Sequence, residues 1–366
     1  MRKILLTILV TILSAPIFAW SAESGLRIMS YNVANLFDAQ HDEGKFDGEY
    51  LPRRSSQKEA ACANETTEFY KKRCLASDWT DQKVEMKLKQ IQKVIQFAGN
   101  PAIIGLTEVE NENVLRRLAA VAGYNRWLIT NSGDVRGIDV AFLIKENSRL
   151  RFIDSREIRV DGTKKLTRNI LEASFMVGTA PLTVYVNHWP SQAAPASERM
   201  LVANILKQAI NKKLSQSANT HIIALGDFNV IPADRPDPFY NVLQNSQAGI
   251  PLYEIDALFR STAAKEGVSL DAFPKGTYFY WVDMQWNTLD RFFVSPNLLD
   301  NSGLNIDLSS YRILSAPQLT GVSQYGKSHY LAGTVIRGVP GRFNANTTDP
   351  NQMGYSDHFP IVINLK

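Results

Sequence analysis

Cysteine is nearly absent from this chain: Cys62 and Cys74 are the only two in 366 residues. They are not spaced as Cys-x-x-Cys and no histidine lies between them, which argues against a zinc centre or a redox pair. Histidine is scarce as well, at five residues, and no Cys/His cluster exists elsewhere. After the N-terminal apolar run there is no second run long enough to span a bilayer, so no stable membrane insertion is expected. Internal repeats, low-complexity tracts and Pro/Gly/Ser-rich linkers are missing too, and the chain reads as one domain. Charge of one sign is also lacking. The formal net charge is +4, and Arg2 and Lys3 account for part of that, so charge alone does not argue for nucleic acid.

What is present begins with an export signal. Arg2 and Lys3 precede an apolar run from Ile4 to Phe18 and a small-residue site at Ala19-Trp20-Ser21, the layout of a secretory signal peptide over residues 1–21. The expected product is residues 22–366, periplasmic or secreted, with no cysteine near the cleavage site to carry a lipid anchor. In an exported chain Cys62 and Cys74 read as one disulfide pinning a polar surface loop, residues 38–77. Closing that loop contributes on the order of 3 kcal/mol in the chain-entropy model.

The stretch His221–Asn229 organises the rest. An apolar run of strand length ends at Gly226, and Asp227 and Asn229 follow at i and i+2, on one face of an extended chain. Other apolar runs end the same way. Leu26–Asn35 alternates as a strand with Asn32 at its exit, and Ala102–Asn111 delivers Glu108. Leu182–Pro190 delivers His188, and Leu289–Val294 carries Asp290. The final strand, Pro360–Leu365, is preceded by Asp357 and His358. Two more strands are expected at Tyr124–Thr130 and Ile138–Ile144, the second opening on Asp139, a buried acid that needs a partner.

Helices alternate with these strands. Val84, Leu88, Ile91, Ile95 and Ala98 form one apolar face, stopped by Gly99. Val114, Leu115, Leu118 and Ala122 form a second before Gly123, and Val202, Ile205, Leu206, Ala209 and Ile210 a third. Glu110 suits the acidic first turn of the second helix better than Glu108 does. The β–helix–β alternation, broken by hairpins, predicts a mixed α/β fold.

The ordered set Tyr31–Phe37, Gly105–Glu110, Asn187–Ser191, Gly226–Asn229, Leu289–Arg291 and Ser356–Pro360 resembles the endonuclease/exonuclease/phosphatase superfamily, the deoxyribonuclease-like fold, in its exported bacterial nuclease-like group. The resemblance implies a four-layer sandwich of two packed mixed β-sheets flanked by helices. It also implies a divalent-metal site, with Glu108 as main ligand and Asn32 and Asp357 close by; oxygen ligands suit Mg²⁺, with Mn²⁺ as alternative. By the same analogy Asp227, held by Asn229, orients or deprotonates water. His358 pairs with Asp290 and His188 with Asp139, and both histidines serve the phosphate. Arg168, and Asn229 again, resemble phosphate contacts.

These expectations converge on an exported Mg²⁺-dependent phosphodiesterase, a non-specific endonuclease on DNA or RNA that acts as a monomer. Basic groups at Lys71–Arg73, Arg116–Arg117 and Lys164–Lys165 are candidate backbone contacts. The alternatives are a lipid phosphodiesterase, for which Tyr278–Trp281 and Trp286 would form an exposed aromatic hairpin, a small-molecule phosphatase, and a catalytically silent binding module.

Overall fold

The computed structural model describes residues 25–63, 65, 67–324 and 332–366. The expected signal peptide, residues 1–21, lies outside the described residues. In chain order the strands begin with β1 (Leu26–Leu36), β2 (Ile103–Val109), β3 (Arg126–Ile129) and β4 (Asp139–Ile144). They continue with β5 (Leu150–Ile158), β6 (Ile170–Val177), β7 (Ala180–His188) and β8 (His221–Asp227). The last third adds β9 (Tyr253–Glu254), β10 (Tyr278–Tyr280), β11 (Gln285–Asn287) and β12 (Asp290–Val294). It closes with β13 (Ile306–Ile313), β14 (Thr320–Gln324), β15 (Val335–Pro340) and β16 (Ile361–Leu365).

Two six-stranded sheets result, ordered β13-β16-β1-β2-β4-β3 and β5-β6-β7-β8-β12-β9. Each is mixed, because one central pair is parallel: β1 with β2, and β7 with β8. A parallel pair needs a crossover long enough to carry a helix. Among the described helices α1 (Lys58–Ala63), α2 (Glu68–Ala76) and α3 (Asp81–Phe97) lie on the first crossover, α4 (Glu112–Ala122) follows β2, α5 (Ala196–Gln216) forms the second crossover, and α6 (Ile255–Lys265) follows β9.

The sheets pack face to face closely at their centres. A Cβ on Gly105 of β2 would lie 2.2 Å from Leu225 Cδ1 of β8, so a larger residue there would require the Leu225 side chain to move. The main core joins both inner faces and extends under α3 and α4, where Val84, Leu88, Ile91, Val114 and Leu118 are fully buried. A second core lies between the other sheet and α5, built on Val202, Leu206, Tyr185, Trp189 and Phe228. The expected four layers are therefore present.

α3 starts at Thr80, whose side chain accepts a hydrogen bond from Lys83 N, and α4 starts at Asn111, which accepts from Val114 N. Gly123 ends α4 in the left-handed conformation.

Cys62 and Cys74 are bridged across a sequence separation of 12, linking α1 to α2. The polar stretch expected as a loop thus contains two short helices. Lys58 is buried beneath them and donates to Gly48 O, Leu51 O and Ser77 Oγ at 2.8, 3.0 and 2.7 Å. Phe37 at the end of β1 stacks on Tyr50 with ring centroids 3.9 Å apart, anchoring the stretch to the sandwich. We expect a Cys62→Ser/Cys74→Ser variant to lose about 3 kcal/mol in urea denaturation. An unchanged midpoint would mean that the bridge constrains nothing.

Candidate active site

The two parallel pairs end side by side, and their carboxyl ends carry the polar residues. β1 and β2 bring Asn32 and Glu108; β7 and β8 bring His188 and Asp227, which are register partners. Opposite Asp227 on the antiparallel neighbour stands Asp290. His358 enters from the segment before β16, where it forms a bridge with Tyr278 and its ring lies 4.8 Å from the tyrosine ring.

Backbone irregularity aims these groups. Glu108 has φ +65° and sits on a bulge where β2 shifts register against both β1 and β4. An extra residue on one strand turns its side chain out of the alternation. Ala34, Asn35 and Asn229 also have positive φ, so the unusual conformations gather at this end of the sandwich. Gly226 has φ +130°, and a Cβ there would lie 1.9 Å from Asn187 O.

Asp227 is fully enclosed. Its Oδ1 accepts from Asn229 N at 2.9 Å and its Oδ2 from Asn32 Nδ2 at 3.1 Å. The same Oδ2 lies 3.7 Å from His188 Nε2 and 3.9 Å from His358 Nε2. Those distances exceed a hydrogen bond, so the three heads converge without bonding to one another. His358 Nδ1 is held by Asp290 Oδ2 at 2.7 Å.

The electrostatics separate the two histidines. Burial opposes a charge on His358, but Asp290, Asp227 and Asp357 outweigh it and raise the imidazole to about 10. Burial holds His188 well below the ordinary range, and the cations Arg168 and Arg136 push the same way. Asp227 is pushed up to about 7 by burial, with Asp290 and Glu108 adding to it and His358 opposing. One imidazolium, one neutral imidazole and one carboxyl poised near neutrality therefore face a common point.

Several expected partnerships differ. Asp139 does not hold His188: its Oδ1 accepts from Thr130 Oγ1 at 2.6 Å and Ser132 N at 3.0 Å, and His188 Nδ1 is buried without a partner. Asp139 thus caps the turn before its own strand. Asn32 is not turned as an oxygen ligand, since its Oδ1 accepts from Ala34 N and its amide donates to Glu108 Oε1 at 3.2 Å as well as to Asp227.

The contact expected of Asn229 on phosphate is also displaced. Its backbone N–H holds Asp227, while its side chain donates to Trp189 O at 3.1 Å. Arg168 is buried, with one guanidinium nitrogen on Asp134 Oδ2 at 3.1 Å and another on Trp189 O at 2.6 Å. It braces the strand end instead of facing an open phosphate site. Of the expected basic patches, Arg73 is paired with Glu49, and Arg117 with Asp81 and Glu85.

Three supporting residues escaped the sequence reading. Lys87 of α3 is buried, donates to Ala34 O and Asn35 O, and lies within electrostatic reach of Glu108 and Asp357. Burial lowers its ammonium to about 8. A lysine three residues after Val84 and one before Leu88, on an apolar helix face, was the available signal. Arg199 of α5 clamps Asp234 through two bonds of 2.8 and 2.6 Å and also donates to Ser191 O and Ala194 O. This fully buried pair ties the loop after His188 to the loop after Asn229. We expect Arg199→Met to cost about 3–5 kcal/mol in equilibrium unfolding, because Asp234 would be left buried and unpaired. Arg342, half exposed, lies 3.4 Å from Asp357 Oδ2 at the mouth of the site.

Among the described residues no three or more His, Cys, Asp or Glu side chains gather as a metal cage. A hard cation such as Mg²⁺ keeps several waters and uses one or two carboxylates. Glu108 and Asp357, with side chains 16% and 28% exposed, are the carboxylates at this end that remain open to solvent. Their oxygen chemistry fits such an ion.

A family model described as the endonuclease/exonuclease/phosphatase family matches residues 27–366. The chain belongs to that family. Its members are phosphoester hydrolases, phosphodiesterases and phosphatases alike, that generally depend on a divalent metal. No curated protein matches the chain.

Solved structures show the same fold at low identity. D. rerio TDP2 complexed with a single-strand DNA product is 15% identical with a TM-score of 0.51, covering 94% of this chain and 100% of that one. The human Nocturnin catalytic domain with bound sulfate is 14% identical with a TM-score of 0.52, over 93% and 94% of the two chains. A Bacteroides thetaiotaomicron mannosyl-6-phosphatase is 15% identical with a TM-score of 0.52, over 93% and 99%.

Proposed function

We propose that this family member is an exported, divalent-metal-dependent phosphodiesterase that hydrolyses the backbone of DNA or RNA. The observation that carries the reading is the convergence on Asp227 Oδ2 of two imidazoles, one nitrogen 3.7 Å and the other 3.9 Å away. A phosphoryl group docked against these heads would meet a cation, a neutral imidazole and a carboxyl.

In this reading water attacks phosphorus and gives its proton to Asp227 Oδ2. Asn32 and the Asn229 N–H hold that carboxylate in place, and its raised pKa of about 7 matches a base working near neutral pH. His358, oriented by Asp290, stabilises the charge on the phosphoryl oxygens and protonates the ester oxygen as its bond to phosphorus breaks. Neutral His188 keeps Nε2 towards the same oxygens. A metal ion held by Glu108 with Asp357 would supply neutralisation of the phosphate and its leaving oxygen.

The solved structure of D. rerio TDP2 with a single-strand DNA product shows that this fold accommodates nucleic acid, in keeping with the reading. The Cys62–Cys74 bridge supports export, since disulfides persist in oxidising compartments. No described helix is long and apolar enough to cross a membrane.

The test is hydrolysis of plasmid and total RNA with Mg²⁺ or with EDTA. EDTA is expected to abolish cleavage and excess Mg²⁺ or Mn²⁺ to restore it. Glu108→Gln should raise the Mg²⁺ concentration for half-maximal rate at least about tenfold. Cleavage that survives EDTA, or a Glu108→Gln variant with wild-type Mg²⁺ dependence, would remove the metal from the account.

A further inference from the structure

A cleft of about 540 Å³ opens beside the candidate active site, between the β10–β11 hairpin and the β14–β15 pair. It begins at Asp357, the residue before His358, and Arg342 lies at that junction. The β10 strand that lines it is the one whose Tyr278 packs on the His358 ring, so cleft and reacting centre share a wall. Trp281, just beyond β10, is 52% exposed and lines the cleft, as does Val322 of β14. Amide heads of Asn344 and Gln352 interrupt these apolar faces.

From this arrangement we infer that the cleft is the subsite for a nucleoside next to the scissile phosphate, its base stacked on Trp281 and the adjoining phosphate met by Arg342. The inference rests on the phosphodiesterase reading above. The volume lies in the range of small-molecule sites. An apolar face bordered by amide donors and acceptors matches a ring with a flat surface and a hydrogen-bonding edge, and matches an alkyl chain poorly. An exposed indole accepts any base, because every base has a π-face. Arg342 is half exposed, whereas Arg168 is buried against Asp134 and the Trp189 carbonyl, so Arg342 is the better placed of the two to meet a phosphate.

The experiment compares kcat/KM for a single-stranded DNA oligonucleotide with kcat/KM for methyl p-nitrophenyl phosphate, which has no nucleoside. Trp281→Ala is expected to lower the ratio of the two about 10–100-fold, chiefly through KM on the oligonucleotide, and Trp281→Phe to restore most of it. Arg342→Ala is expected to lower the ratio about tenfold and to reduce the salt dependence of oligonucleotide binding by about one unit of slope. An unchanged ratio in both alanine variants would overturn the subsite. So would binding to sphingomyelin vesicles that Trp281→Ala abolishes while the ratio stays constant. Wild-type enzyme that hydrolyses the small ester but no oligonucleotide would overturn the phosphodiesterase reading on nucleic acid, and the subsite with it.

Discussion

Asp227→Asn is expected to lower kcat on a phosphodiester by about 10³-fold, within the 10²–10⁴ range of a lost general base, with little change in KM. The substitution keeps the shape of the side chain. An asparagine carbonyl can still accept from Asn229 N, so the loop that starts at Phe228 stays in place. What disappears is the second carboxylate oxygen, the one facing both imidazoles.

His358→Ala should cost a comparable factor, and the double variant far less than the product of the two, because both groups act in the same displacement at one phosphoryl position. Circular dichroism identical to wild type would show that the loss is chemical. Wild-type turnover in either variant would mean that the reaction, if any, lies elsewhere on the molecule.

Gly226→Ala is expected to abolish folding at ordinary temperature, a loss above about 4 kcal/mol. Two independent penalties coincide. The backbone at φ +130° lies outside what an L side chain adopts readily, and the added methyl would sit 1.9 Å from Asn187 O and 2.9 Å from Asn187 C and N. Those atoms belong to β7, paired in register with β8, and cannot swing aside as a side chain could.

Gly123 supplies the control. It also has positive φ, +77°, but no atom lies within 4 Å of where its Cβ would be, so Gly123→Ala should cost only about 1–2 kcal/mol. A soluble Gly226→Ala protein with a wild-type urea midpoint would contradict the packing described between the two strands.

The same contrast explains how much the amino-acid order reveals. Asn32, Glu108, His188, Asp227 and His358 were legible because each ends or adjoins an apolar run, and a buried strand that stops on a polar head delivers it to one end of the sheet. The Asp290–His358 pair followed from resemblance and is present at 2.7 Å. Strand alternation says nothing about where a bulge falls, so the exit angle of Glu108 was invisible. Nor does it say which neighbour a buried polar group finds. Asp139 satisfied itself on Thr130 and Ser132, and Arg168 on Asp134 and a carbonyl.

The missed elements share a cause. β5 is exposed along most of its length, and β13 is only partly buried, so neither shows a continuous apolar pattern. α1 and α2 bury little beyond Lys58, Ala61 and the two cysteines, and the bridge holds what an apolar face would otherwise hold.

The most direct measurement of the central claim is cleavage of a 5′-labelled DNA oligonucleotide by purified protein in ¹⁸O-enriched water with Mg²⁺, with Asp227→Asn in parallel and product phosphates read by mass spectrometry. The account predicts one ¹⁸O in each new phosphate end, and a rate about 10³-fold lower in the variant. Hydrolysis of phosphomonoesters alone, with the oligonucleotide intact, or equal cleavage by the variant, would contradict it.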